Sequence, residues 1–397
     1  MGRMTDMLMH IGKIGINEDG SITRLGFSDA YNQAVEIVKK YMDALDMITE
    51  IDSVFNVHGI LLGTDPNAQS ILLGSHMDSV LKGGIFDGPL GIASALEIVC
   101  RLKELNMTLR HPIEIWGFNM EESSILGGTF GSRSMLGLLD AHAPGYDQKL
   151  AHYGKTPKDV YNAKKDISKF ACYLECHIEQ GDKLDRAGLD IGVVSGLVGI
   201  IRYKVTAHGM SNHAGTTMMP DRKDALVGMS KLIVAAEQRA QEIDDTLVFT
   251  VGILSVSPGQ ENIIPNEVTA CFEMRHLNMA ITDRFYDEIK ELAKEISNCE
   301  FTFERTVAKK AAPCDPFLMK TIEQVCTVSN ISHVAMPSGA THDGTSMAQA
   351  GIPIGMIFVP SVGGVSHQGG EWTEPHHVEL SADVLFHTVL ELDQKLP

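Results

Sequence analysis

Residues 71–105 read ILLGSHMDSVLKGGIFDGPLGIASALEIVCRLKEL, and the fold class follows from that stretch. Ile71-Leu72-Leu73 is a short apolar run of the kind a strand buried on both faces requires. It runs into Gly74-Ser75-His76. From Pro89 onward, apolar residues recur at helical spacing through Leu90, Ala95, Leu96, Ile98, Val99 and Leu102. Pro89 suits a first helical position, where its missing N–H loses no bond. A strand passing into a helix in this way is the repeating unit of a mostly parallel sheet covered by helices.

The same alternation continues outward. Ile113 to Met120 reads as the next strand and ends in Glu121-Glu122, and Tyr173 to Ile178 reads as another, ending near His177. The pattern changes near residue 198. Ile200–Ala207, Leu247–Leu254, Val268–Arg275 and Phe301–Val307 read as strands, with helices over Asp224–Ile243 and Thr282–Ile296. After Pro313 the earlier pattern resumes, with a helix near Phe317–Cys326 and a strand at Pro353–Val359. The expected architecture is therefore α/β. A mixed, mostly parallel sheet with helices on both faces forms a discontinuous domain, residues 1–198 and 311–397. A smaller α+β domain, residues 199–310, interrupts it. Two cores suit 397 residues, because single cores stop growing beyond roughly 250–300.

Composition narrows the function. The net charge of −18 argues against nucleic acid as a partner, since phosphate binding needs clustered Lys and Arg. An anionic small molecule would need local attraction, from an Arg or from metal ions. No stretch approaches the ~18 uninterrupted apolar residues that span a bilayer, so no membrane association is expected. Residues 1–15 lack the apolar segment of a signal peptide. The seven Cys are odd in number and form no CxxC pair. They read as reduced thiols of a cytoplasmic protein.

Four segments concentrate metal-type ligands. They are Gly74-Ser75-His76-Met77-Asp78-Ser79 with Gly83-Gly84-Ile85-Phe86-Asp87-Gly88, then Glu121-Glu122, then Glu175-Cys176-His177-Ile178-Glu179-Gln180-Gly181, and finally Gly364-Val365-Ser366-His367. A lone His is usually a packing residue, and a lone Glu-Glu is usually a solvated face. Here all four lie at or just past the carboxyl ends of expected strands, the edge where open α/β sheets bind ligands. Three His with two acidic residues mix N and O donors and suit borderline divalent ions such as Zn²⁺ or Mn²⁺. Five protein ligands suit two ions if one carboxylate bridges, and Asp87, at a helix start, is placed to bridge. Asp78 lies on the same side of an extended backbone as His76 and could hold the imidazole's other nitrogen. Of Glu121 and Glu122, one can bind metal while its neighbour takes a proton from a water whose pKa the metal lowers toward roughly 7.

Longer strings now carry a resemblance. IGINEDGSITRLGF (14–27), GSHMDSVLKGGIFDGPLGIASALE, ECHIEQG, GVVSGLVGIIRYKV, NHAGTTMMPDRKDAL, SGATHDGTSMA and GVSHQGGE span nearly the whole chain. Together they resemble the hydantoinase/carbamoylase branch of the M20 metallopeptidase superfamily. That branch contains N-carbamoyl-L-amino acid amidohydrolases and allantoate amidohydrolases. The resemblance implies His76, Asp87, Glu122, His177 and His367 as ligands of two divalent ions, Zn or Mn with Co or Ni also acceptable, and Asp87 as the bridge. It implies Glu121 as general base and makes the discontinuous domain the catalytic one. It makes 199–310 a lid that also forms a homodimer interface. His213 would stabilise an oxyanion, in cis or from the partner subunit. Asn262 and Arg275 would bind a substrate carboxylate, with Gln180, Gly339, Ala340 and His342 around the same pocket. For Arg275 the competing reading is a salt bridge with Glu273 on the same strand face.

The chain departs from the family pattern in places. Glu121-Glu122-Ser123-Ser124-Ile125 replaces the usual EEG-x-R-F, Ser366-His367-Gln368-Gly369-Gly370-Glu371 replaces SH-x-P-x-E, and HAGTTMM replaces HAGTTPM. None removes a ligand. The expected activity is hydrolysis of a carbamoyl or ureido C–N bond on a small carboxylate, an N-carbamoyl-L-amino acid or allantoate. A dipeptidase or aminoacylase of the same superfamily would share the metal site and differ in the pocket. A non-catalytic binding scaffold would not need an intact Glu121 and five intact ligands.

Overall fold

A computed structural model describes residues 2–122 and 124–397, so Ser123 of the departing EESSI segment lies outside the described residues. The chain divides into two compact units, Met1–Leu197 with Pro313–Pro397, and Val198–Ala312.

In chain order the first unit carries α1 (Arg3–Gly12), α2 (Asp29–Ala44), β1 (Ile48–Ile51), β2 (Val57–Leu61), β3 (Ser70–His76), α3 (Pro89–Glu104), β4 (Ile113–Phe118), α4 (Phe130–Met135), α5 (Tyr146–Ala151), α6 (Pro157–Asn162), β5 (Phe170–Ile178), α7 (Lys183–Ala187) and β6 (Ile191–Leu197). The second unit carries β7 (Gly199–His208), α8 (Ala225–Ile243), β8 (Val248–Ser257), β9 (Glu267–His276), α9 (Met279–Lys294) and β10 (Glu300–Lys309). After β11 (Ala312–Pro313) the first unit resumes with α10 (Pro316–Val328), β12 (His333–Ser338), α11 (Asp343–Gln349), β13 (Ile354–Val359) and α12 (Pro375–Lys395).

The first unit's sheet runs β1-β2-β4-β3-β5-β13-β6-β11, with β12 beside β6. Its centre is parallel, β4 to β3 to β5 to β13, and antiparallel pairs β1/β2 and β2/β4 close one edge. The alternation of β5 shows how the sheet separates core from site. Cys172, Leu174, Cys176 and Ile178 face one way and join α3 and α12 residues in the main apolar core. Tyr173, Glu175 and His177 face the other way and are equally buried. There the amide of Gly344, in α11, donates to Glu175 Oε2 at 3.4 Å. Helix α3 is buried along nearly its whole length, which its run of Leu, Ile, Ala and Val demands.

The second unit is a four-stranded antiparallel sheet, β10-β7-β9-β8. Val268, Ala270, Phe272 and Met274 alternate inward from β9 and pack with Met229 and Leu232 of α8 and Phe285 and Ile289 of α9. Among the described residues, no helix is long and apolar enough to cross a membrane.

Candidate metal centre

His76 is the last residue of β3 and His177 the penultimate residue of β5, adjacent parallel strands that deliver both imidazoles to one sheet edge. Between them comes Asp87, from the turn that starts α3. That turn depends on Gly88, at φ +86, where a Cβ would lie 2.6 Å from the His76 carbonyl and 2.7 Å from its ring. Asp87 Oδ1 is 3.3 Å from His76 Nε2 and 3.1 Å from His177 Nε2. Its Oδ2 is 3.1 Å from His367 Nε2, and Glu122 Oε1 is 3.4 Å from the same nitrogen. Two overlapping groups result, His76–Asp87–His177 and Asp87–Glu122–His367, each with ligand-type atoms within 4.8 Å of one another. His76, Asp87 and His177 are buried, whereas the His367 side chain is 48% exposed, so the centre opens on the His367 side.

The ring tautomers point to cations. His177 Nδ1 lies 2.9 Å from the Ile178 carbonyl and His76 Nδ1 lies 3.1 Å from that of Asp78. Donating there leaves a lone pair on each Nε2, aimed at Asp87 Oδ1. His177 Nε2 and Asp87 Oδ1 are within hydrogen-bond range, yet neither buried atom makes an aligned hydrogen bond. Electron-pair donors converging without a proton between them fit a divalent ion. Charge balance agrees: Asp78, Asp87, Glu121, Glu175, Asp343 and Glu371 are all buried. In the bare protein, protons answer this excess. Burial alone would lower His76, but its close contact with Asp87 and the charges of Glu121 and Asp87 hold it well above its ordinary range. Asp87 is held well below the carboxylate range: burial opposes this and is outweighed by its close contacts with the His177, His367 and His76 imidazoles. Its contact with Asp87 lifts His367 to about 9, against the effect of burial.

The reading of Asp78 needs correction. His76 Nδ1 bonds to the main-chain carbonyl of Asp78, and the carboxylate stands 3.7 Å away. The carboxylate is occupied elsewhere, accepting the amides of Glu121 and Glu122 at 3.0 and 3.1 Å. Strand β4 also ends two residues earlier than its apolar pattern predicts. Met120 adopts φ +55, which breaks extended geometry and turns both glutamates off the sheet edge. Glu121 is buried, and burial, reinforced by Glu122, Asp343 and Asp78, keeps its carboxyl well above the usual range despite the opposing His76 charge. Glu122 is pushed up to about 7, first by burial and then by Asp87.

Gln180, at φ +61, donates Nε2 to Asp87 Oδ2 at 3.0 Å and lies 3.2 Å from His367 Nε2. Together with Gly339, Ala340, Met336 and Pro337 it lines a cavity of about 470 Å³ beside His367. His342, expected at the same pocket, is not among its lining residues. It is buried with its ring 4.4 Å from that of His177 and its Nε2 2.9 Å from Ser338 Oγ. Burial and the His177 charge hold it well below the ordinary histidine range, so it is a neutral packing partner of His177.

His213, Asn262 and Arg275 all lie in the second unit. His213 and Asn262 are brought together by a bridge between their segments, where the Ala214 amide donates to the Asn262 carbonyl at 2.9 Å. Arg275, on β9, makes the Glu273 salt bridge, Nε to Oε1 at 2.7 Å.

Two residues of this centre escaped the sequence reading. Glu371 is buried. Its Oε1 accepts the amides of Phe86 and Asp87 at 2.9 and 3.0 Å, and its Oε2 accepts Ser366 Oγ at 2.9 Å. It thus ties the Asp87 turn to the His367 loop. Arg24 is wholly buried, and its guanidinium donates to the carbonyls of Met77, Gly12 and Ile14. Its main chain exchanges bonds with Ser79, so it clamps the segment that follows His76. Glu371 had a signal, standing close after His367. Arg24 had none beyond being the one basic residue of the string IGINEDGSITRLGF.

Residues 72–391 match the model of peptidase family M20/M25/M40. The chain belongs to this family. Its likeness extends well beyond the centre: it is 35% identical to the N-carbamoyl-L-amino acid amidohydrolase of Geobacillus stearothermophilus, over 99% of this chain and 98% of that one. It is 32% identical to the allantoate amidohydrolase of Bacillus subtilis, over 96% and 95%. The crystal structure of a hydantoinase/carbamoylase family amidase from Burkholderia multivorans matches with a TM-score of 0.87 at 29% identity, covering 98% of this chain and 97% of the other. This M20 chain is accordingly a hydrolase of α/β architecture, with residue groups able to hold a metal ion.

Proposed function

We infer that this chain is a two-metal amidohydrolase that cleaves the carbamoyl or ureido C–N bond of a small carboxylate, an N-carbamoyl-L-amino acid or allantoate. The observation that carries this is the placement of Asp87 among three imidazoles with Glu121 beside them. The names of the relatives support the substrate class.

His76, His177 and Asp87 would hold one ion, and Asp87, Glu122 and His367 the other. When bound, such ions supply Lewis acidity, lowering the pKa of water toward roughly 7 and polarising a carbonyl. Glu121 takes the proton of the attacking water and passes it to the leaving nitrogen. Its burial raises its proton affinity, and the Asp78 carboxylate fixes its backbone. His213 Nδ1 accepts the Gly215 amide at 3.0 Å, which leaves Nε2–H as the donor for a developing oxyanion. Asn262 and Arg275 select the substrate carboxylate, with Glu273 orienting the guanidinium. Gln180, Gly339 and Ala340 line the cavity that receives the remainder of the substrate.

Residues 199–310 act in this reading as a lid and as the interface of a homodimer. Val227 and Val234 on α8 and Ile253 and Leu254 on the edge strand β8 are exposed, which supports a covered surface there. The seven unpaired cysteines support a reducing, cytoplasmic location.

The test is product analysis on metal-reconstituted enzyme supplied with N-carbamoyl-L-amino acids, allantoate and dipeptides. Ammonia from a ureido substrate, abolished by chelator and restored by Zn²⁺ or Mn²⁺, is the expected result. Free amino acids from dipeptides without ammonia would overturn the substrate class and leave a peptidase.

A further inference from the structure

A second concentration of metal-type ligands lies outside the Asp87 centre and shares no residue with it. His376 and His377 open α12, and Asp190 ends the loop before β6. We propose that Asp190, His376 and His377 form a third, peripheral transition-metal site that takes a borderline divalent ion such as Zn²⁺.

One ligand atom from each residue lies within 4.8 Å of the other two. Two imidazoles and one carboxylate are a donor set suited to Zn²⁺, Co²⁺, Ni²⁺ or Cu²⁺, with water completing the sphere. The carboxylate is already oriented. Its Oδ2 accepts the Ser332 amide at 3.2 Å and the Ser332 hydroxyl at 2.6 Å. That leaves Oδ1 turned toward the rings, 3.4 Å from His377 Nε2. Outer hydrogen bonds of this kind are what ligating carboxylates normally have.

The two rings lie side by side at the start of the helix. Their centroids are 3.8 Å apart at 41°. Both stand in the first turn of a helix, whose positive end faces them. His377 Nδ1 is buried and makes no hydrogen bond, so protein contacts leave the ring's polar atoms incompletely satisfied. His376 is exposed, which gives an ion access. The Asp190 carboxylate, with Glu374 nearby, offsets the helix end's opposition to a cation.

Zinc stoichiometry of the full-length protein decides the matter, measured by elemental analysis after equilibration at fixed free Zn²⁺. Wild type should hold one equivalent per chain more than His376→Gln or Asp190→Asn. Turnover should stay within about twofold of wild type in both variants. His376→Gln is the safer variant, because an exposed side chain is replaced and the fold keeps its contacts. Equal stoichiometry in wild type and His376→Gln across the zinc range would overturn the site. Loss of turnover together with the lost zinc would also overturn it, since the ion would then belong to the Asp87 centre.

Discussion

Glu371 offers the sharpest test of how the centre is held. Its two oxygens accept three hydrogen bonds, two of them from the backbone amides of Phe86 and Asp87 in a buried setting. Glu371→Ala leaves both amides without their acceptor. At roughly 1–3 kcal/mol for each buried donor left unpaired, the cost is about 2–6 kcal/mol, falling toward the lower end if water enters the space. The same change releases the Asp87 turn and the His367 loop, which should weaken metal binding by roughly 10–100-fold, as loss of groups that orient metal ligands does. Glu371→Gln keeps one carbonyl oxygen for the amides and should retain most of both. Gly84 supplies an independent approach, because a Cβ there would lie 2.1 Å from Glu371 Oε1. Gly84→Ala should therefore reproduce the Glu371→Ala defect, and the double variant should be little worse than either single one. The assays are thermal unfolding without metal and chelator competition for Zn²⁺. Wild-type metal affinity in Glu371→Ala, or full additivity with Gly84→Ala, would refute the reasoning.

Three other outcomes are expected. Glu121→Gln should keep its metal content by elemental analysis and lose turnover by about 10²–10⁴-fold; a smaller loss would remove Glu121 as the base. Arg24→Met should lower stability by about 2–4 kcal/mol, because the Met77, Gly12 and Ile14 carbonyls lose their donor while the desolvation cost of the buried charge is relieved; unchanged denaturant midpoints would contradict this. Burial pushes Glu114 up, but the hydrogen bond and charge of His58, with hydrogen bonds from Ser70 and Trp116, together outweigh that and hold it below its ordinary 4.5. A depressed carboxyl stabilises the fold above its unfolded pKa and loses that contribution as pH falls through the folded value. The melting temperature of wild type should therefore fall more steeply below about pH 4.5 than that of Glu114→Gln; parallel curves would dismiss the pair.

How much of this was legible in the sequence depends on the range of the signal. Strand β3 and helix α3 were readable because β3 carries an apolar run and α3 an uninterrupted helical period; α3 lies within one residue of the expected bounds, and β3 runs on from the apolar run 71–73 through Gly74-Ser75 to His76. The antiparallel edge was not read. Strands β1 and β2 have four and five residues, too few for alternation to stand out. Helix α12 has polar His, Glu and Asp distributed through its first turns, which hides its apolar face. In the centre, residue types were legible because few side chains bind borderline metals, and strand ends are where a parallel sheet presents them.

Partnerships between distant segments were not legible. Nothing in residues 366–371 announces that Glu371 accepts amides 285 and 284 positions earlier in the chain. Local geometry likewise decided Asp78, where spacing correctly placed it beside His76 but could not tell carbonyl from carboxylate. The outcome follows from competition for acceptors. The amides of Glu121 and Glu122 emerge from the Met120 turn with no strand partner to bond, and a buried N–H left unpaired costs more than a long carboxylate–imidazole contact returns. The Asp78 carboxylate therefore goes to the amides, and the imidazole takes the carbonyl two residues further on, just past the end of β3. One acidic residue so couples the segment that carries His76 to the pair that carries Glu121 and Glu122. Asp78→Asn, which keeps one acceptor oxygen but replaces the other with an amide NH2 that can only donate, should consequently disturb the two glutamates before it disturbs His76.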